Sequence, residues 1–221
     1  MAGRLIEITT KESEFEKLAM KALVSHINSS ISGIGEEINK KIRPVVFDVI
    51  HECYEMQSLR GSYLRGSLGL TLSQASESSR DIAEAVSSSV FVNVKRVTPK
   101  NLSGSLTINV QPRDFSNVLS ISGAVIRYRS SRYKRTVELP WLDWLLTKGD
   151  TILISGFDFQ PIFGEGRSGA GSMIKDSIAD WRIRPEYSGT KEDNFITRAL
   201  SHKNTQSKIS SMIEKSVNKR L

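Results

Sequence analysis

The feature that most constrains the fold of this chain is a change of hydrophobic period near Phe91. Before this residue, apolar side chains recur every three or four positions, which is typical of helices packed by one face. After it, apolar and polar residues alternate, which is typical of half-buried strands with short connections and antiparallel pairing. The sequence therefore predicts an α+β fold, with an antiparallel sheet and helices at both ends.

The helical period predicts two N-terminal helices, over 12–30 and 36–56. In the first, one face is expected to turn inward, and it comprises Phe15, Leu18, Ala19, Ala22, Leu23 and Ile27. We expect the segment 33–35, which contains two glycines, to separate the two helices. Pro44 is expected to kink the second helix or mark a boundary, because proline removes a backbone hydrogen bond.

A third helix is predicted over 74–89, beginning near Ser73. The alternating pattern then predicts four strands, over 91–97, 106–110, 124–128 and 136–139. These signals favour three regions: an N-terminal helical arm at 1–56, an α+β core at 57–190 and a C-terminal helical segment at 191–221.

Glycine and proline mark several further boundaries. The paired Arg-Gly-Ser units around Gly61 and Gly66 predict tight turns, because glycine adopts positive φ at low cost. The segment 140–149 predicts a short helix with proline in its first turn and glycine at its end, followed by a strand at 151–155. The segment 164–169 matches the pattern GxGxxG, but no strand–turn–helix context surrounds it, so we expect a glycine-rich hairpin loop.

Composition sets the class of protein and its environment. With 221 residues, of which 38% are hydrophobic, the chain can bury a core. No run of 18 apolar residues predicts a membrane span, and the N-terminus lacks the apolar centre of a signal peptide. Cys53 is the single cysteine, so no intramolecular disulfide is possible and cytoplasmic folding is expected.

Positive charge is concentrated in the middle of the chain. The overall net charge is +7, and residues 57–139 alone carry 12 basic and 5 acidic side chains. Within them, tyrosines at 128 and 133 lie among five basic residues, which are Arg127, Arg129, Arg132, Lys134 and Arg135. Such a basic hairpin would contact phosphates and stack on bases. One alternative is a charged strand edge that stays soluble and unpaired. Another is that, in a ring of copies, the hairpin lines the channel through which DNA passes or contacts acidic groups of a neighbouring ring.

No residue pattern indicates catalysis. The three histidines are far apart in sequence, and His51-Glu52-Cys53 lacks the further ligands that a metal site requires. No serine lies in a nucleophile-elbow pattern, and no motif selects a pair of carboxylates. The sequence therefore predicts a protein that is not an enzyme and that has no metal or cofactor.

The segment 181–200 combines aromatic residues, Pro185 and a predicted helix start at Thr190, with Asp193 as the capping-box partner. Such a segment favours a docking surface. Five aromatic residues are candidate anchors, either of a subunit interface or of the chain's own core: Trp141, Trp144, Trp181, Tyr187 and Phe195.

Three motifs in this order resemble neck or tail-completion proteins of tailed bacteriophages, particularly those with contractile tails. They are LRGSLG at 64–69, PWLDWLLTKGD at 140–150, and WRIRPEYSGT at 181–190 with DNFITR at 193–198. The resemblance covers roughly residues 56–200. It implies a small β-sandwich or rolled sheet flanked by helices, and no catalytic residues.

The resemblance also implies a structural virion protein at the head–tail junction, which completes or terminates the tail as a tail terminator does. Such proteins form homo-oligomeric rings, here expected to be hexameric, with a dodecamer as the alternative, and they assemble in the host cytoplasm. Genomic DNA passes through the ring without base specificity. Adjacent neck, tail-tube or sheath proteins bind the ring. The rival hypothesis is a stand-alone nucleic-acid-binding protein that uses the 127–135 hairpin.

Overall fold

The structure, a computed structural model, describes residues 11–61, 63–100, 102–110, 114–129, 134 and 136–219. Its helices, numbered along the chain, are α1 (Glu12–His51), α2 (Tyr54–Arg60), α3 (Tyr63–Leu68), α4 (Leu72–Ser88), α5 (Ser116–Leu119), α6 (Trp141–Thr147), α7 (Phe195–Ser201) and α8 (Lys203–Asn218). Its strands are β1 (Phe91–Lys95), β2 (Ser105–Asn109), β3 (Ile126–Arg129), β4 (Thr136–Leu139), β5 (Ile154–Gln160) and β6 (Ser172–Trp181). The α+β class with flanking helices is confirmed.

The N-terminal region forms one continuous helix, α1, so the predicted pair of helices at 12–30 and 36–56 is wrong. The helix runs through the glycines without a break and contains Pro44. Gly35 serves packing instead of a turn, because a Cβ at this position would lie only 2.9 Å from Cγ2 of Val94. The inner face of α1 is buried and consists of apolar side chains spaced four residues apart, including Ile38 and Ile42.

Of the two predicted turns, the one at Gly61 is present as a bend between α2 and α3, although without a positive φ, and the one at Gly66 is wrong. Gly61 has a negative φ of −74°, and Gly66 lies within α3. A Cβ on Gly66 would lie 2.7 Å from the Phe159 ring, so this glycine allows α3 to approach the sheet closely. Positive φ occurs at the end of α3, where Gly69 adopts 71°.

The predicted third helix is confirmed as α4, and it begins slightly earlier than expected. Thr71 is its N-cap and forms a capping box with Gln74, whose backbone N–H donates to Oγ1 of Thr71 at 3.3 Å. The Gln74 side chain accepts the Thr71 backbone N–H at 3.0 Å. The backbone N–H groups of Thr71 and Gln74 are therefore both satisfied, which fixes the start of the helix.

The strands pair as three separate antiparallel two-stranded sheets, β1–β2, β3–β4 and β5–β6. The expected small β-sandwich or rolled sheet is therefore wrong, because the described strands form three separate hairpins. The predicted strands at 91–97, 106–110, 124–128 and 136–139 correspond to β1–β4. The strand predicted at 151–155 begins later, at Ile154, and extends to Gln160. The GxGxxG segment is confirmed as part of the β5–β6 hairpin loop, where Gly164, Gly166 and Gly169 adopt positive φ.

The C-terminal segment, predicted to be helical over 191–221, contains two helices, α7 and α8. The N-cap of α7 is Asn194, so the predicted helix start at Thr190 is wrong. The Asn194 carboxamide oxygen accepts from the backbone N–H groups of Ile196 and Thr197, at 3.1 and 3.2 Å. Thr190 instead closes a local turn, because its Oγ1 accepts the Asp193 N–H at 3.1 Å.

One hydrophobic core joins the central part of the chain to both ends. It includes Ile42 of α1, Ile82 of α4, Leu142 of α6 and Phe195 of α7, all fully buried. Helix α8 packs along α1, where Lys41 Nζ donates to Ser216 Oγ at 3.5 Å. No helix in the described part of the chain is both long enough and apolar enough to cross a membrane. The division at residues 56 and 190 stays a prediction.

Candidate assembly and polyanion-binding surfaces

The basic hairpin is formed by β3 and β4. Residues Arg127 and Glu138 are directly paired across the two strands, and Arg129 is opposite Thr136. Arg127 Nε donates to Glu138 Oε1 at 2.7 Å, and both side chains are more than half exposed. An exposed pair of this kind contributes little to stability, about 0–1 kcal/mol. Arg127 is thus partly neutralised by its own hairpin.

Two further basic residues of this hairpin, Arg129 and Lys134, are exposed. Lys134 has a positive φ of 47°, which indicates a tight turn at this position. Arg132 and Arg135 lie outside the described residues. The described part of this hairpin therefore carries three basic residues, Arg127, Arg129 and Lys134, whose charge would attract a polyanion.

The aromatic anchors lie mainly in the core of this chain. Trp141 and Phe195 are fully buried, and Trp181 and Tyr187 are each only 5% exposed. The Trp141 indole Nε1 donates to the Gly123 carbonyl at 2.7 Å, which satisfies its one polar atom. Trp144 is partly buried and contacts Trp181 edge to face, with ring centroids 6.3 Å apart. These side chains stabilise the fold of the single chain.

Tyr187 lies at the centre of an aromatic stack. Its ring stacks on Tyr54 with a centroid distance of 5.3 Å and on Tyr63 at 6.2 Å. Its hydroxyl accepts from Ser58 Oγ at 3.1 Å and shares a hydrogen bond with the Tyr54 hydroxyl. This bond raises the pKa of Tyr54, and burial raises the pKa of Tyr63 although the nearby Arg184 guanidinium acts against it. The stack connects the 181–200 segment to α2 and α3.

Arg198 provides a second connection of the 181–200 segment to the body. Its Nη2 donates to Glu55 Oε1 at 3.2 Å and to the Ser188 carbonyl at 3.3 Å. Glu55 is buried, with 7% exposure, whereas the Arg198 side chain is 38% exposed. The conformation of the segment is therefore set by contacts within the chain.

An open groove of about 610 Å³ lies between the end of α1 and the helices α7 and α8. It contains Cys53, Glu55, Arg198 and His202. Burial raises the pKa of the Cys53 thiol from 9.0 to about 12, so the thiol is protonated at neutral pH and is a poor nucleophile. Within the described ranges, no group of three or more His, Cys, Asp or Glu side chains is arranged to hold a metal ion.

Exposed apolar side chains are concentrated on two elements for which the sequence predicted no exposed apolar surface. The first is the β5–β6 hairpin, where Phe163 in the loop is 100% exposed and Ile178 on β6 is 93% exposed. Pairing of this hairpin is irregular between Ser155 and Phe157, and Ile178 lies in the extra length of β6 opposite this position. Neither side chain contributes to the core.

The second element is the N-terminal part of α1. Here Phe15 is 66% exposed, Leu18 62% and Leu23 48%. With about 100° per residue, Phe15 lies about 180° around the helix from Val24, which is buried against the body. The face predicted to turn inward therefore turns outward. We define Phe15, Leu18, Ala19, Ala22 and Leu23 as the outer stripe.

The large exposed side chains of the hairpin and the outer stripe are the strongest indication of function in this fold, because monomeric proteins rarely expose contiguous apolar surface without a partner. Neither the hydrophobic periodicity nor the composition of the sequence distinguishes these exposed side chains from buried ones. Their exposure depends on which face of each element packs against the rest of the fold. Comparisons with protein families, with curated proteins and with solved structures find no match to this chain.

Proposed function

We propose that this chain is a structural protein of a phage head–tail junction, where copies form a ring that completes or terminates the tail and joins it to the head. The observation that carries the proposal is the β5–β6 hairpin, which presents Phe163 and Ile178 to solvent. The order of the three motifs at 64–69, 140–150 and 181–198 supports the phage context. DNA would pass through the ring.

A ring requires a heterologous contact, in which one patch of a subunit meets a different patch of its neighbour. A hairpin with apolar side chains at its loop and along one strand is suited to this contact, because it reaches beyond the subunit's own core. Removing Phe163 from water would contribute about 1.5–3 kcal/mol in each copy. Repetition around a closed ring would multiply this contribution.

The basic hairpin supports the passage of DNA. Arg129 and Lys134 are exposed on the same hairpin, and contacts with phosphates need no base readout. In a ring, copies of this hairpin would form a repeated band of positive charge. This arrangement is expected to hold DNA loosely, with an affinity that falls as salt rises.

The first experiment compares the full chain with Phe163→Ser/Ile178→Ser by light scattering and electron microscopy. We expect the unchanged protein to form rings, alone or with tail components, and the double variant to form none. Lys175→Ser is the matched control, because Lys175 is an exposed polar residue of the same hairpin. The proposal is contradicted if the chain is absent from purified phage particles, or if a map of the neck places it elsewhere.

The alternative function is a stand-alone nucleic-acid-binding protein. The observation that favours it is the exposure of two basic residues of this hairpin, Arg129 and Lys134. We expect Arg129→Ser/Lys134→Ser to weaken binding of duplex DNA and to reduce the slope of log affinity against log salt by about two. Lys203→Ser/Lys208→Ser on α8 is the control for a general change in charge. If both double variants act equally, the hairpin has no special role in binding.

A further inference from the structure

The outer stripe of α1 is an apolar surface that no described part of the chain covers. All residues from 11 to 19 and from 21 to 23 are exposed, and the buried face of the helix begins at Val24. The exposed part of α1 therefore extends about 18 Å beyond the first buried position, at 1.5 Å per residue. It needs no separate nucleation, because it continues a helix anchored in the core.

The positions of the large side chains match a short helix–helix seam. Phe15, Leu18 and Ala22 recur at spacings of three and four, as do the inward positions of a coiled coil. Charged residues flank this seam, with Glu14 next to Phe15 and Lys21 next to Ala22. Neither Glu14 nor Lys21 forms an ion pair with another described residue.

The charges of Glu14 and Lys21 favour a second copy of this helix as the partner, and they favour antiparallel over parallel packing. When two copies of this helix pack antiparallel, with Phe15 of each against Leu18 of the other, Glu14 of each lies within one turn of Lys21 of the other. Two opposite-charge contacts therefore form by symmetry. A parallel pair would instead place Ala19 at the flanking position across from Glu14, and no such contact would form.

We propose that the outer stripe is a self-association site, at which the α1 helices of two copies of this chain pair antiparallel. The pairing is isologous, because the same surface is used by both copies. The overlap of about 12 residues is short, so the contact belongs to the weak class of interfaces and adds to other contacts in an assembly. It rests on α1 alone and does not depend on the proposed virion role.

The test is a charge-exchange series on the full chain, measured by sedimentation equilibrium at 25 °C. We expect Glu14→Lys and Lys21→Glu each to weaken the dimer about tenfold, because each change replaces two attractive contacts by two repulsive ones. The double variant Glu14→Lys/Lys21→Glu is expected to recover the original affinity within about twofold, since the two charges are exchanged together. Lys17→Glu is the control, because Lys17 lies outside the seam.

A second measurement detects weak pairing directly. In a Cys53→Ser background, mixing Phe15→Cys with Leu18→Cys protein should form a disulfide-linked heterodimer faster than either protein links to itself, because the antiparallel pair places these two positions together. The hairpin variant Phe163→Ser should leave this linkage unchanged, which separates arm pairing from ring formation. The proposal is overturned if the double charge variant fails to recover, or if neither dimer nor preferential heterodimer linkage is detected.

Discussion

Replacement of Asn194 by alanine is expected to destabilise the 181–200 segment through the loss of the cap of α7. Asn194 is fully buried, and its carboxamide oxygen accepts two backbone N–H groups at the start of α7. Its Nδ2 also donates to the Thr190 carbonyl at 2.9 Å. The side chain thus satisfies polar groups on both sides of the helix start.

The magnitude follows from these bonds. Loss of an N-cap costs about 1–2 kcal/mol, and leaving the Thr190 carbonyl without this donor adds about 1 kcal/mol. We therefore expect Asn194→Ala to lower the free energy of unfolding by about 2–3 kcal/mol. In a domain of this size, each kcal/mol lowers the Tm by roughly 2–4 °C, so the expected decrease is about 4–12 °C.

The assay is urea denaturation followed by circular dichroism, with thermal melts as a second readout. Asn194→Asp keeps the acceptor but loses the Nδ2 donor, and it should lie between the unchanged protein and Asn194→Ala. Asn93→Ala changes an exposed asparagine on β1 and should alter stability by less than about 0.5 kcal/mol. A loss of under about 0.5 kcal/mol for Asn194→Ala would refute the assignment of Asn194 as the cap that holds this segment.

Three further changes test other parts of the fold. Because the pKa of Cys53 is raised in the folded state, the neutral thiol contributes a stability that is complete below about pH 9 and is lost as pH rises towards 12. Between these pH values, the urea midpoint of Cys53→Ala should therefore fall less than that of the unchanged protein. Gly35→Ala should lower the free energy of unfolding by about 1 kcal/mol, because the clash with Val94 exceeds the gain in helix propensity, and Val94→Ala in the same protein should relieve the clash. Trp141→Phe should cost about 2–3 kcal/mol in urea denaturation, because the Gly123 carbonyl loses its donor and a small void forms.

The sequence was sufficient for elements whose signal is local. The period-two pattern located β1 to β4, and the regular apolar spacing located α4, because each depends on side chains within one element. The end of α6 is equally local, since Gly149 adopts a positive φ of 55°. The Pro140–Gly149 prediction therefore agrees with the structure.

Elements decided by distant contacts were not predictable in this way. Gly35 looks like a helix breaker until Val94 is placed against it, and these residues are far apart in the chain. Thr190 and Asn194 are both good N-caps, and the local sequence does not choose between them. The structure selects Asn194, which is fully buried and lies so close to Gly189 that a Cβ there would be 2.6 Å from Cβ of Asn194.

The candidate surfaces show the same limit. The alternating residues correctly place Arg127 on a strand, whereas Arg129, which lies beyond the predicted strand at 124–128, is the last residue of β3. The outer stripe, in contrast, has the spacing of a buried face and was interpreted as one. Only the burial of Val24 on the opposite side shows that Phe15 and Leu18 are exposed.

The continuity of α1 has a mechanical consequence. Two helices joined at the glycines would act as a compliant joint, and a load on the first would bend the connection before it reached the core. A single helix from Glu12 to His51 acts as a stiff lever. At its inner end it contributes Ile42, Val46 and Ile50 to the hydrophobic core. Any force applied at Phe15 is therefore delivered to the hydrophobic core of the chain, about 40 Å away along the helix axis.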